Sequence, residues 1–226
     1  MQGGSQTTPF LVTADNYEVN RHYFLSHYFR DNYNKWMQTI PMVSSDVVIT
    51  KIEVWVTNRT AQQDEVRNIA GFADLGEDIT KVNPTLASTS CVVPASAAVQ
   101  DCTGVLPRNG SNTLYNILTN TTDGIISDRD FSQITAKLKQ NSATLNNACN
   151  YGEQFMEQGR DFDVVNRARK LRPTEYTYNR RLGYISLNQA LNYDEVLTVA
   201  YQYTSNGQTY QVGEFSDQFP TGDQPL

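Results

Sequence analysis

The sequence lacks any apolar run near the roughly 20 residues that a membrane-spanning helix needs. The first ten residues are polar and lack the charged-then-apolar pattern of a signal peptide. The sequence alone therefore fits a cytoplasmic protein or an excised piece of a longer exported one. Polar ends that contain Gly or Pro, at residues 2–6 and 220–225, favour the excised piece. We expect flexible segments at 1–14 and 217–226.

Positive charge is scarce, with 18 basic against 24 acidic residues and a net charge of −6. No basic stripe is present, which argues against nucleic acid as a partner. One basic cluster stands out in this acidic chain, and we expect it to pair with local carboxylates in preference to acidic partners. Its members are Arg167, Arg169, Lys170, Arg172, Arg180 and Arg181.

Motifs for chemistry are missing as well. There is no Gly-rich phosphate loop, no Gly-x-Ser-x-Gly and no Cys-x-x-Cys pair. His22 and His27 are five residues apart and not on one helical face, so we expect them to form hydrogen bonds and not to bind a metal. We therefore predict no catalytic, cofactor-binding or metal-binding residue, and we expect that the protein is not an enzyme.

Two acidic pairs resemble fragments of calcium loops but lack the remaining ligands at regular spacing. They are Asp128 with Asp130, and Asp161 with Asp163. We interpret the first pair as the start of a helix and the second as a solvated loop. Other carboxylates are plentiful. A glycosidase needs two of them on opposite sides of a bound sugar, and their positions in the sequence do not identify such a pair.

Cysteine is limited to Cys91, Cys102 and Cys149. The first two bracket a segment of small residues that would close into a disulfide in an oxidising compartment, which presumes export. Two buried or idle thiols are the alternative. If the bridge forms, Cys149 is the odd, buried thiol.

Aromatic residues are abundant near the start of the chain. Residues 15–40 carry a broad apolar face at spacings of three to four, which predicts a long helix that Pro41 stops. We expect Phe24, Tyr28 and Trp36 of this helix to belong to the core.

The strand signals come later. Residues 47–58 are rich in β-branched side chains and alternate, with Trp55 on the polar face but expected in the core because that face is partly covered. Residues 67–75 predict a second strand paired with the first. Residues 195–215 predict a hairpin because Asn-Gly occurs in its turn.

These elements predict an α+β fold, a mainly antiparallel sheet with a long aromatic-rich N-terminal helix packed on it and several short helices. We expect one domain over residues 15–216, with a long irregular insertion at about 76–110. Short helices are expected at 112–120, from 128, and at 154–159.

Three blocks of sequence, at residues 20–33, 49–60 and 165–216, resemble the SprA (Sov) family, the outer-membrane translocon of type IX secretion and a gliding-motility component. They read NRHYFLSHYFRDNY, ITKIEVWVTNRT and, within the third, VNRARKL, PTEY, LGYISLN and GEFS. The blocks occur in the family's order and span nearly the whole chain. Residues 76–150 carry no matching motif, and nothing transfers to them.

The resemblance implies a very large β-barrel that exports folded cargo, works with a small partner barrel and a plug, and carries large soluble insertions. This chain is expected to be one such cap-like structural and interaction domain, since it lacks the repeated alternating strands of a barrel wall. Its partners would be the rest of the barrel, those two subunits and cargo. The extracellular side is expected, and the periplasmic side is the alternative.

Independently of the resemblance, the 13 Tyr residues and the many carboxylates leave a second interpretation open. It is an exported carbohydrate-binding or glycoside-hydrolase-like domain. A deep cleft with two facing carboxylates would favour this alternative.

Overall fold

A computed structural model gives the structure of the chain. It describes residues 13, 16–59, 65–73, 75–77, 106–111, 114–119, 135–137 and 158–218. The described strands are β1 (His22–Phe24), β2 (Val47–Val56), β3 (Val66–Phe72), β4 (Phe162–Lys170), β5 (Tyr176–Asn179), β6 (Tyr184–Leu187), β7 (Leu197–Ser205) and β8 (Gln208–Val212). The helices are α1 (His27–Trp36), α2 (Leu114–Thr119) and a 3-10 turn, Ser216–Gln218.

Five of the strands form one antiparallel sheet in the order β3-β4-β2-β7-β8. The central strand β2 combines β-branched residues with a period of two, so that Ile52, Val54 and Val56 share one face and Trp55 lies on the other. A bulge at Thr50 interrupts its pairing with β7.

The large sheet is strongly coiled. A Cβ built on Gly71 of β3 would lie 2.5 Å from Thr198 Cγ2 of β7, although β4 and β2 separate these strands. In a flat sheet, strands three positions apart would be roughly 14 Å from each other. The face that carries Trp55 is therefore concave, and Trp55 packs there with Ile69 and the partly buried Val196.

A small sheet in the order β1-β6-β5 covers the opposite face of β2. Val54 and Val56 of β2 pack against side chains of β5 and β6 in a core cluster that is nearly closed to solvent. The other buried members of this cluster are Leu171, Tyr176, Ile185 and Leu187. Burial of these apolar side chains holds the two sheets together.

Helix α1 packs next to the small sheet, on an aromatic cluster at the N-terminal half of β2. Phe29 is fully buried, with its ring 6.0 Å from that of Tyr201 and 6.2 Å from that of Tyr203. Tyr210 stacks on Tyr203 at 5.3 Å. Much of the tyrosine content therefore lies at the helix–sheet contact.

The predicted α+β fold with a long N-terminal helix is wrong. The described part of the chain consists mostly of two antiparallel sheets, and its longest helix, α1, has 10 residues. Residues 22–24 form β1 because they pair with β6, and Asn20 adopts a φ of 55° that a helix does not permit. The helix also ends at Trp36, before Pro41.

The predicted pairing of the first two long strands is also wrong, because β4 lies between β2 and β3. The predicted hairpin is present as β7 and β8, with positive φ at both Asn206 (49°) and Gly207 (77°) in its turn. Positive φ at both positions is the requirement of the tight turn that Asn-Gly favours.

Candidate functional site

One cavity in the described structure has a volume of about 700 Å³ and includes Trp55, Thr198 and Tyr201 in its wall. Pockets of this size are the usual place to look for a site. The carboxylates in its wall are Glu77, Asp161, Asp163, Glu195 and Glu214. Whether any of them can act on a ligand depends on the contacts that it makes within the protein.

Each of these carboxylates already interacts with a protein donor. Arg160 pairs with Asp161 at 2.6 Å, and the amide of Gln158 donates to Asp163 at 3.0 Å. Further donors are the Asn192 N–H to Glu195 at 2.7 Å and the Tyr115 hydroxyl to Glu214 at 3.1 Å. These contacts connect the carboxylates to other parts of the protein, which indicates a structural role for them.

Glu77 caps helix α1 from a distant part of the chain. Its side chain is 8% exposed and accepts the backbone N–H groups of His27 at 2.9 Å and Tyr28 at 2.8 Å. Ser26, at the position before the helix, makes no side-chain cap. His27 Nδ1 lies 3.1 Å from the same carboxylate but outside hydrogen-bond geometry. A negative charge at a helix N-terminus satisfies free donors and the helix dipole together.

Glu53 organises a second buried network, on the concave face. Its side chain is 6% exposed and receives Lys170 Nζ at 3.0 Å, together with the N–H and hydroxyl of Ser216 at 3.0 Å each. Lys170 also pairs with Glu65 at 3.2 Å and lies 5.7 Å from the Trp55 ring centre. These contacts fasten the 3-10 turn over β2.

Two members of the basic cluster pair with carboxylates, as predicted. Arg169 pairs with Glu175 at 2.8 Å, and Lys170 pairs with Glu53. Arg180 Nε instead donates to the backbone oxygen of Ile49 at 3.0 Å. Internal partners thus engage these three cations.

A hydroxyl, an imidazole and a carboxylate meet on the outer face of the small sheet, which sequence reasoning missed. His22 Nδ1 lies 2.8 Å from Ser186 Oγ, and its Nε2 lies 2.6 Å from Glu18 Oε2. His22 and Ser186 are 164 positions apart in the sequence, and the pairing of β1 with β6 brings them together. The His22 hydrogen bond and then the Arg21 charge lower the pKa of Glu18.

This group resembles the Ser-His-acid arrangement of hydrolases. Its His22 and Glu18 side chains, however, are 47% and 49% exposed, and neither cavity described for this chain is lined by any of the three residues. Nucleophilic catalysis needs a pocket that orients a substrate. The hydrogen bond between His22 and Ser186 instead stabilises the contact between β1 and β6.

The residues predicted for the core occupy different environments. Trp55 is 2% exposed and Trp36 is 5% exposed, while Tyr28 is partly buried. Burial, aided by the charge of Asp46, raises the pKa of Tyr28 to about 12. Phe24 is 39% exposed because it lies on the edge strand β1.

Some predicted features lie outside the described residues, namely Cys91, Cys102, Cys149, Asp128 and Asp130. In the described part of the chain, no group of three or more His, Cys, Asp or Glu side chains is placed to hold a metal ion. None of the helices described there has the length and apolar character that crossing a bilayer requires.

The described residues thus define a β-rich domain whose polar networks link its own strands and helices. A family model described as motility related/secretion protein, SprA_N, matches residues 2–205 of the chain. The chain belongs to this family, which is a motility and secretion family and not a family of enzymes. No curated protein matches the sequence. A secretion-related family fits a location in the cell envelope.

Proposed function

We propose that this chain is a cap-like structural and interaction domain of a giant outer-membrane β-barrel that exports folded proteins by type IX secretion and supports gliding motility. The observation that carries this proposal is the family match over residues 2–205. The domain lies on the extracellular side, and a periplasmic position is the alternative. Its partners are the rest of the barrel, a small partner barrel, a plug subunit and the cargo.

The physical role is geometric. A rigid insertion fills space over one end of the barrel and limits what leaves there. Supporting features are the sheet-to-sheet core, the Glu77 cap and the Glu53 network, all of which connect distant parts of the chain. Such long-range contacts resist deformation better than local ones because opening any of them disrupts several others.

The test is secretion of a reporter cargo by the full-length protein carrying single substitutions. Trp55→Ala removes a large buried side chain and should lower stability by about 3–5 kcal/mol. Secretion should then fall in parallel with the abundance of folded protein.

Asp161→Asn and Asp163→Asn are the matched changes at carboxylates, and secretion should stay near normal with either. The same is expected for single Asn substitutions at Asp128 and Asp130. If one of these variants abolished secretion at normal abundance and stability, a chemical or ion-binding role would replace the structural one.

A further inference from the structure

A second cavity, which we call the β8 groove, runs beside strand β8 and has a volume of about 620 Å³. It shares only Tyr115 with the wall of the cavity above, and the contacts of the Glu77 and Glu53 networks do not involve it. The residues that give it its character are Arg108, Tyr115, Gln208, Thr209, Tyr210 and Gln211.

The β8 groove is lined by neutral polar groups. Amides and hydroxyls predominate among its lining residues, which include one cation and no carboxylate. A metal ion would need carboxylates, and an anionic polymer would need several cations. The lining instead suits a neutral ligand that both donates and accepts hydrogen bonds, as amide side chains do.

The floor of the groove is preformed. The Gln211 amide donates to the Gln218 side chain at 3.1 Å. Asn109 donates its backbone N–H to the Gln211 carbonyl at 2.8 Å, and its side chain accepts the Gly213 N–H at 2.7 Å. Asn109 thereby covers part of the outer edge of β8. A peptide adding as a further strand would have to displace it.

Several groups remain available to a ligand. Gln208 and Thr209 are exposed at the start of β8. Tyr210 is held rigidly because its ring stacks on Tyr203 at an interplanar angle of 24°. A fixed tyrosine offers an apolar ring and a hydroxyl at a low cost in conformational entropy.

We propose that the β8 groove binds a neutral oligosaccharide. Sugar hydroxyls donate and accept hydrogen bonds in close succession, which matches the exposed Gln208 and Thr209 side chains. The C–H faces of a sugar ring pack on aromatic rings, for which Tyr210 and Tyr115 are the candidates. A domain exposed in the cell envelope would in this way hold surface glycan next to the barrel.

Nuclear magnetic resonance titration of the full 226-residue chain tests the proposal. The probes are six neutral hexasaccharides: maltohexaose, cellohexaose, laminarihexaose, xylohexaose, mannohexaose and chitohexaose. At least one should bind with a dissociation constant of about a millimolar, as is usual for shallow polar sites, and shift the signals of Gln208 and Gln211.

Gln208→Ala should weaken that binding about tenfold, the effect of one or two lost hydrogen bonds. Tyr210→Phe, which keeps the stacked ring, should weaken it less. Gln38→Ala is the matched control at an exposed glutamine outside the groove and should bind as the unmodified chain does.

Three outcomes would overturn the proposal. The first is no response to any of the six probes at 10 mM, a concentration about ten times the expected dissociation constant. The second is signal changes that map away from the groove or survive Gln208→Ala. The third is binding of the groove only to an anionic probe, hexagalacturonate, or only to a peptide.

Discussion

At the scale of single residues, Glu53 is a buried charge held by several donors. It lies on the central strand with a 6% exposed side chain, and its oxygens receive Lys170 and Ser216. A buried carboxylate is tolerated only when such donors compensate for lost water. Without Glu53 the buried Ser216 N–H loses its acceptor, whereas Lys170 keeps its pair with Glu65.

Glu53→Ala should therefore lower the free energy of unfolding by about 1–3 kcal/mol, because the buried Ser216 N–H loses its acceptor while Lys170 keeps its contact with Glu65. Urea denaturation of the chain measures this effect. Asp217→Asn is the control, since Asp217 pairs with Lys51 at 2.7 Å on the surface and its loss should change stability little. Equal losses in the two variants would contradict the assigned role of Glu53.

The lowered pKa of Glu18 gives a prediction for pH. A carboxyl whose pKa is depressed on folding stabilises the protein above its unfolded value, near 4.5, and loses that contribution as pH falls through the folded value. Glu18→Gln should thus flatten the loss of stability below pH 4.5, measured by thermal unfolding across pH. If the loss of stability below pH 4.5 were the same in this variant as in the unmodified chain, the His22 and Arg21 contacts would not persist in solution.

The sequence pattern predicted which way the β2 side chains face, but it did not predict the partners of Glu53 or the β8 groove. Alternation along 47–58 predicted the faces of Ile52, Val54 and Trp55 because a strand has a period of two. The partners of Glu53 could not be predicted, since Lys170 is 117 positions away. The β8 groove was missed for the same reason, since its lining joins residues near 110 with the final hairpin.

At the scale of elements, the contact between α1 and the β5–β6 turn depends on a glycine. Gly183 has a φ of +62°, and a Cβ built there would lie 2.1 Å from Phe29 Cδ1. Phe29 is fully buried against Tyr201 and Tyr203, so it has no room to withdraw. The helix can approach the turn only because a side chain is missing at this position.

Gly183→Ala should therefore destabilise the chain by at least about 3 kcal/mol, from overpacking added to backbone strain. Gly207→Ala is a matched control, because its φ of +77° is similar but nothing lies within 4 Å of an added Cβ. That variant should lose about 1–2 kcal/mol, the strain alone. Similar losses in the two variants would mean that Phe29 moves aside.

Elements were predictable where local chemistry determines them. The Asn206-Gly207 turn specified the β7–β8 hairpin, because few residues accept two consecutive positive φ values. The helix over 15–40 was overpredicted because a short apolar run such as residues 23–25 does not distinguish a strand from part of a helix by its spacing. Pairing of β1 with β6 decided residues 22–24.

At the scale of the whole molecule, the Cys91–Cys102 bridge stays a prediction. If the protein is exported to an oxidising compartment, peptide mapping by mass spectrometry without reduction should recover the two cysteines joined, with Cys149 free. Their Cα atoms would then be roughly 5.5 Å apart, and the bridge would contribute roughly 3 kcal/mol. Recovery of both as free thiols from envelope-derived protein would refute it.

The position of β4 between β2 and β3 has a consequence for the order of folding. Strands β1, β2 and β3 all occur before residue 73, yet each pairs with strands that begin at Phe162 or later. A chain emerging from its N-terminal end therefore holds three strands without the partners that the described structure gives them until its last third arrives. Such high contact order predicts slow, post-synthetic folding. Until that point the first strands are the segments most in need of a chaperone.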